Sequence, residues 1–406
     1  MTKTTYKFTV MVFKYFAIRG FYMLKVVTIF GTRPEAIKMA PVVKELNKFA
    51  DKISSKVIVT AQHRQMLDQV LELFSICPDH DLNIMQQGQN LFDITMRALD
   101  GLGKILGEEK PDLVLVHGDT TTTFAGALAA YYLQIPVGHV EAGLRTGNKY
   151  SPFPEEINRH LTGVLTDMHF APTSAAAANL MREGVPEEKI TVTGNTVIDA
   201  LRATVRDDYT FSGDSVLNGI AYEHKRLILV TTHRRENLGE PLREVYRGIS
   251  EITERYPDVE IVFPVHMNPA VRGPVQEELG DNPKVHLIEP LDYEPFVNLM
   301  NRCHIVLTDS GGMQEEAPSL GKPVLVLRNT TERPEALDAG TVCLVGCDRK
   351  KLVDLTSKLL DDQEIYYSMA NAVNPYGDGL AASRIVQAIM YKYGLADKPP
   401  VKFVPA

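Results

Sequence analysis

From Leu24 onward, short β-branched runs alternate with longer amphipathic stretches, and no other feature restricts the possible folds as strongly. The first set of apolar runs covers residues 24–30, 56–60, 112–117, 136–140 and 167–171. Between them lie helical patterns such as 34–48, where Ile37, Ala40, Val43 and Leu46 recur at helical spacing. Pro34 suits the first turn of that helix, where a missing N–H costs nothing. A second set repeats the scheme at 226–232, 259–265, 285–288, 304–308, 323–327 and 341–345. Such alternation requires right-handed crossovers and parallel sheets buried on both faces. It predicts an α/β chain of two doubly wound, Rossmann-like domains, residues 23–200 and 201–380. The polar stretch 202–225 separates the two sets. A helical pattern over 381–393 has no strand after it, so residues 381–406 are expected to return to the first domain. Residues 1–22 stand outside the alternation as an extension.

Composition removes several function classes. The 406 residues are 44% hydrophobic and 23% charged, a balance that excludes a disordered chain or a disulfide-dense miniprotein. Asp and Glu number 51 against 43 Lys and Arg, a formal net charge of −8, which disfavours non-specific nucleic-acid binding. An anionic ligand then needs a local cluster of cations. Cys77, Cys303, Cys343 and Cys347 have no zinc-site spacing and read as reduced, mostly buried thiols, which makes a cytoplasmic location the default. No run of 18 apolar residues exists, so no membrane span is expected. The first 22 residues carry Lys3, Lys7, Lys14 and Arg19 with no acid before Glu35, and are expected to be a loose extension dispensable for fold and activity.

In open parallel sheets, ligands bind beyond the carboxyl ends of the strands. Those ends are rich in chemistry here. Gly31-Thr32-Arg33-Pro34-Glu35, with Lys38 one turn on, follows the first run; Gly118-Asp119-Thr120 follows a later one. Next come Glu141, Gly143 and Arg145, then Pro154-Glu155-Glu156 with Arg159. In the second set, His233-Arg234-Arg235-Glu236-Asn237 follows one run, His266 ends another, and Asp309-Ser310-Gly311-Gly312 follows a third. The last is a candidate phosphate cradle, since glycines admit the backbone and a helix start points N–H groups at an anion. On spacing alone, Glu315 and Glu316 are either partners of the helix dipole or, in one case, a ribose acceptor. Pro186-Glu187-Glu188 reads as a solvated helix entry. A nicotinamide site is excluded, because Gly101-Leu102-Gly103 lies in a helical pattern and Gly107 comes too late. The phosphate loop of nucleotide triphosphatases, the serine nucleophile elbow and the H-E-x-x-H zinc helix are all absent.

Together the motifs Gly31–Lys38, His117–Thr120, Val140–Thr146, Pro154–Glu156, Thr232–Asn237 and Asp309–Gly312 closely resemble those of the non-hydrolysing UDP-N-acetylglucosamine 2-epimerases. The likeness runs from about residue 24 to 388. It implies the two-domain glycosyltransferase-B architecture with the active site in the cleft between the domains. It further implies reversible conversion of UDP-GlcNAc to UDP-ManNAc without cofactor or metal, supplying ManNAc for surface polysaccharides, in a homodimer. Matched motif by motif, Asp119, Glu141, Glu155 and His233 would be catalytic. Arg33 and Lys38 would hold diphosphate or sugar, and Ser310, Gly311 and Gly312 the phosphates. Glu316 would take the ribose, Arg333 the nucleotide and Phe296 the uracil. Gln62, Gln65, Arg234 and His266 match positions that line a second, activating UDP-GlcNAc site in bacterial relatives. His266 has a plainer reading as a packed strand-end histidine. The stretch 83–91 departs from the pattern, with Gly88 where a basic residue helps to hold the activator. Rival readings are a hydrolysing epimerase that releases free ManNAc, a glycosyltransferase and a non-catalytic UDP-sugar sensor; the retained acid/base set argues against the last two.

Overall fold

Seven parallel strands build the first sheet: β1 (Leu24–Phe30), β2 (Ile53–Val59), β3 (His80–Asp81), β4 (Leu113–His117), β5 (Val137–Val140), β6 (Met168–Ala171) and β7 (Ile190–Val192). The crossovers are α1 (Arg33–Asn47), α2 (Arg64–Leu73), α3 (Leu91–Glu109), α4 (Thr121–Tyr132), α5 (Glu155–Leu165) and α6 (Ser174–Arg182). The spatial order is β3-β2-β1-β4-β5-β6-β7. This computed structural model describes residues 23–61, 64–86, 88–213 and 215–405; the extension 1–22 lies outside them.

The second sheet has six strands, β8 (Arg226–Thr231), β9 (Val259–Pro264), β10 (Val285–Ile288), β11 (Ile305–Thr308), β12 (Val324–Val326) and β13 (Val342–Leu344), in the order β10-β9-β8-β11-β12-β13. Its helices are α7 (Thr196–Thr204), α8 (Glu240–Arg255), α9 (Pro269–Leu279), α10 (Tyr293–Arg302), α11 (Met313–Glu316), α12 (Pro334–Asp338), α13 (Arg349–Asp361) and α14 (Gln363–Ala370). A last helix, α15 (Ala381–Lys392), follows.

Burial on both faces explains the near-continuous apolar strands. In β8, Ile228 and Val230 join one core with Leu242, Val245 and Ile249 of α8. The alternate residues Leu227 and Leu229 join another with Leu201, Val297 and Met300. In the first sheet, Val27, Ile29, Val114 and Val116 meet Ala98, Leu102 and Leu106 of α3 and the alanines of α4.

Both sheets reverse direction beside their first strand, between β1 and β4 and between β8 and β11, the place where doubly wound sheets open a crevice for ligands. The expected runs all become strands, with shifted edges. β2 starts at Ile53 because it pairs with β1 along its whole length, from Leu24↔Ile53 to Phe30↔Val59. Two strands escape the sequence pattern. β3 and β7 are edge strands of two and three residues, too short for any periodicity. Pro186-Glu187-Glu188 leads through a single exposed 3₁₀ turn into β7, and so opens a strand rather than a helix.

The chain divides after Val192 rather than after residue 200, because α7 packs Leu201 into a core of the second sheet. Residues 382–402 are counted with the first unit, where Tyr393 Oη donates to the Asp112 carbonyl (2.8 Å), while Phe403 goes with the second. The cysteines are all free, but only Cys303 is buried; Cys77 is exposed, and Cys343, inside β13, and Cys347, in the loop after it, are half-buried against the edge of a core. Among the described residues no helix is long and apolar enough to cross a membrane.

Behind β5 the turn needs glycine at one position. Gly143 has φ +92°, and a Cβ there would stand 2.3 Å from the Ala176 carbonyl oxygen of α6. Backbone strain and overpacking together set the cost of Gly143→Ala at about 3 kcal/mol. Urea unfolding should show a lower midpoint for the variant, and an unchanged midpoint would contradict the account.

Candidate active site

The first unit's site starts with a carboxylate that does not reach solvent. Thr32 caps α1, and Glu35 in the first turn is 2% exposed. Its Oε2 accepts the N–H groups of Gly31 (3.0 Å) and Thr32 (2.8 Å) and the Thr32 hydroxyl (2.8 Å). Its Oε1 accepts the hydroxyls of Thr120 (2.7 Å) and Thr123 (3.1 Å). One side chain thus ties the loop after β1, which carries Arg33, to the loop after β4, which carries Asp119. Burial pushes the Glu35 carboxyl above the usual range, against the pull of these hydrogen bonds. Gly31 is obligatory beside it, since a Cβ would stand 2.0 Å from Thr60 Oγ1.

Glu141 follows β5 in the left-handed region, φ +62°, a strained conformation for a residue with a side chain. That backbone aims its carboxylate at Lys38, 2.5 Å away on α1, with side-chain exposures of 9% and 18%. His117 Nε2 lies 3.8 Å from the same carboxylate oxygen, and neither ring nitrogen of His117 has a hydrogen-bond partner. Burial lowers the His117 pKa to about 4, so the ring is neutral near pH 7. On the adjacent strand, burial likewise takes His139 to about 4, and its Nε2–H donates to the Gly118 carbonyl at 2.7 Å.

Asp119 is held by α5. Arg159 Nε donates to Asp119 Oδ2 (2.9 Å) and Asn158 Nδ2 to the Asp119 carbonyl (2.9 Å). Arg159 also donates to Glu156 (3.1 Å), which accepts the N–H groups of Thr146 (3.1 Å) and Gly147 (2.9 Å). Burial works against the Glu156 charge, but these donors outweigh it and hold the carboxyl below the usual range. Of the Glu155-Glu156 pair, then, Glu156 is the buried anchor. The Glu155 side chain is half-buried and makes no hydrogen bond or ion pair among the described residues, and the same holds for the Arg33 side chain.

In the second unit, His233 follows β8 and Asp309 follows β11, adjacent strands paired through Thr231↔Thr308. Asp309 is 0% exposed and accepts the N–H groups of His233 (2.8 Å) and Arg234 (2.9 Å). Its other oxygen lies 2.8 Å from His233 Nδ1. Burial opposes the charge on Asp309, but His233 and these backbone donors hold its carboxyl below the ordinary value. The exposed His266 ring stacks near His233, centroids 6.0 Å apart. Arg234 Nε reaches the Asp309 carbonyl (3.3 Å). Ser310, Gly311 and Gly312 lead into α11, where Glu316 is 9% exposed. Arg333 pairs with the buried Glu315, whose other oxygen accepts from Asn195 (2.8 Å). Phe296 is half-buried against the neighbouring core.

Of the positions matched to a second ligand site, Arg234 and His266 flank His233, Gln65 is exposed on α2, and Gln62 lies outside the described residues. A cation does reach the stretch 83–91 from α3, as Arg97 donates to the Ile84 carbonyl (3.3 Å).

A family model described as UDP-N-acetylglucosamine 2-epimerase matches residues 44–390. The chain belongs to the UDP-N-acetylglucosamine 2-epimerase family. It is 57% identical over 380 residues to the UDP-N-acetylglucosamine 2-epimerase of Bacillus subtilis, covering 94% of this chain and 98% of that one. A crystal structure of a putative UDP-N-acetylglucosamine 2-epimerase from Listeria monocytogenes is 52% identical, with a TM-score of 0.89, covering 94% of this chain and all of that one. The UDP-GlcNAc 2-epimerase of Neisseria meningitidis, solved bound to UDP-GlcNAc, is 53% identical, with a TM-score of 0.82, covering 91% of this chain and 100% of that one. The fold is of the glycosyltransferase-B type, with two Rossmann-like units in one chain.

Within this epimerase scaffold, Glu35, Glu156, Arg159 and Asp309 act as supports. The sequence contained their signals. Glu35 stands three residues after a threonine cap, and Arg159 lies one helical turn beyond Glu155 and Glu156.

The buried histidines set a pH dependence. A histidine whose folded pKa is depressed binds a proton in the unfolded chain but not in the native one, so stability is lost as pH falls from about 6.5 toward 4. Going from pH 7.5 to 5 should cost about 2 kcal/mol for each of His117 and His139. His139→Gln keeps a donor for the Gly118 carbonyl and should flatten the slope of unfolding free energy against pH. An equal slope in wild type and variant would contradict the assignment.

Proposed function

We propose that the chain interconverts UDP-GlcNAc and UDP-ManNAc without releasing free sugar, supplying ManNAc for surface polysaccharides. The C2 proton of a hexose has no adjacent carbonyl, so simple abstraction is very unfavourable. C1, however, carries UDP as a leaving group. A base takes the C2 proton while the bond from C1 to the diphosphate oxygen breaks, giving 2-acetamidoglucal and UDP. UDP then re-adds at C1 as an acid returns a proton to the opposite face of C2. No carbon is oxidised on the way, so no hydride carrier is needed.

In this reading Asp119, Glu141, Glu155 and His233 form the acid/base set. Arg33 and Lys38 hold diphosphate or sugar, and Ser310, Gly311 and Gly312 receive the phosphates. Glu316 binds the ribose, Arg333 the nucleotide, and Phe296 lies against the uracil. Gln62, Gln65, Arg234 and His266 are the proposed activator positions. The observation that supports the reading most is the rim of the first sheet. There Asp119 and Glu141 are each held by a cation, Arg159 and Lys38, with Glu155 on the helix that holds Asp119. The Neisseria relative solved with UDP-GlcNAc supports the substrate class.

A homodimer is supported by the outer face of the first unit. Right-handed crossovers put α3, α4 and α5 on one side of the sheet. Their outer surface exposes Phe92 (78%), Met96, Tyr131, Tyr132, Leu161 and Val164 (84%). No charged residue occurs in the twelve residues of α4. Aromatic enrichment and charge depletion are the marks of an interface core, which a second copy would cover.

After metals and nucleotide cofactors are stripped, incubation with UDP-GlcNAc alone should yield UDP-ManNAc, from a species of twice the monomer mass by light scattering. Asp119→Asn, Glu141→Gln and His233→Ala should each lose roughly 10²–10⁴ in kcat. Free ManNAc as the product would select the hydrolysing reaction. Wild-type turnover in all three variants would remove the catalytic assignment, and a monomer would remove the dimer.

A further inference from the structure

We propose that Asp309 is the positioning residue of His233, fixing the proton on Nδ1 and leaving Nε2 free for the ligand. The inference rests on the reading of His233 as an acid/base group. Asp309 divides its two oxygens between two tasks. One clamps the main chain at His233 and Arg234, at 2.8 and 2.9 Å. The other faces the ring, 2.8 Å from Nδ1. An ionised carboxylate has no proton to give, so the nitrogen it faces must carry one. In the neutral ring this places the lone pair on Nε2.

Three features favour a device over a simple loop tie. Asp309 is fully buried while the His233 side chain is 37% exposed, so the anchor is dry and the ring accessible. The neighbouring His266 does not compete for the arrangement, because its Nδ1 accepts the Asn268 N–H (3.2 Å) and is turned to its own loop. Finally, the main-chain clamp needs only one acceptor oxygen. An asparagine could supply it, so the second carboxylate oxygen is accounted for only by the ring. The Nδ1 contact is at ion-pair distance but off the hydrogen-bond axis, as in catalytic pairs that tighten when ligand binds.

Asp309→Asn separates the two tasks. Its amide oxygen can keep the two backbone bonds, while its NH₂ presents donors to Nδ1 and drives the ring proton to Nε2. A tautomer switch of this kind costs about 10⁴ in kcat in the serine-protease triad, and a loss of roughly 10²–10⁴ is expected here with KM for UDP-GlcNAc little changed. The direct readout is ¹⁵N-histidine NMR of the full chain, with the His233 signals assigned by their loss in His233→Gln. Wild type should show Nδ1–H and Asp309→Asn should show Nε2–H. A wild-type ring protonated on Nε2 would overturn the inference whether or not the variant folds, and so would an Asp309→Asn enzyme with wild-type kcat. Wild-type turnover in His233→Ala would instead remove the catalytic reading beneath it, an outcome distinguishable from either.

Discussion

Right-handed crossover is the constraint on which everything else in this molecule rests. In a parallel sheet it sends every strand's carboxyl end to the same rim, and where the winding reverses it separates two consecutive loops into a crevice. The first sheet reverses at β1 and β4, and the loops there carry Arg33 and Asp119. The second reverses at β8 and β11, and the loops there carry His233 and Asp309. Residues 86 and 76 positions apart are thereby carried on loops of adjacent strands.

Topology brings the loops together; buried carboxylates hold them. Glu35 ties two loops of the first unit, Glu156 anchors the turn behind β5 and the Arg159 that grips Asp119, and Asp309 binds two loops of the second. Each accepts at least two backbone N–H groups. Hydrogen bonds to a charged group contribute about 1.5–3 kcal/mol each, and where several converge they outweigh burial at Glu156 and Asp309, though not at Glu35. The more exposed groups, Glu155 and His233, are the ones the proposed function assigns to the ligand. Glu141 is the exception in backbone terms. Its left-handed conformation costs about 1–3 kcal/mol, set against its ion pair with Lys38.

Much of this was legible in the sequence, for physical reasons. Parallel strands covered on both faces are continuous apolar runs, so eleven of them stood out, and the residues behind them marked the rims. β3 and β7 were invisible because two or three residues at a sheet edge have no pattern to show. The motif residues of the site were readable because they come in contiguous blocks. What could not be read was which acid of a pair is buried. Glu155 and Glu156 are equivalent in sequence, and only the turn at Thr146 and Gly147, with Arg159, sets them apart. Asp309 looked like the start of a phosphate cradle, and its bond to the His233 loop depends on the register of β8 against β11.

The proposed reaction is an elimination and re-addition across C1 and C2 of a nucleotide sugar. The most direct test is turnover of UDP-GlcNAc carrying ¹⁸O between C1 and the β-phosphorus, run in D₂O. The account predicts deuterium at C2 of the UDP-ManNAc formed, together with scrambling of ¹⁸O into the non-bridging positions of the β-phosphate. Product that retains both its C2 hydrogen and its bridging label would contradict it.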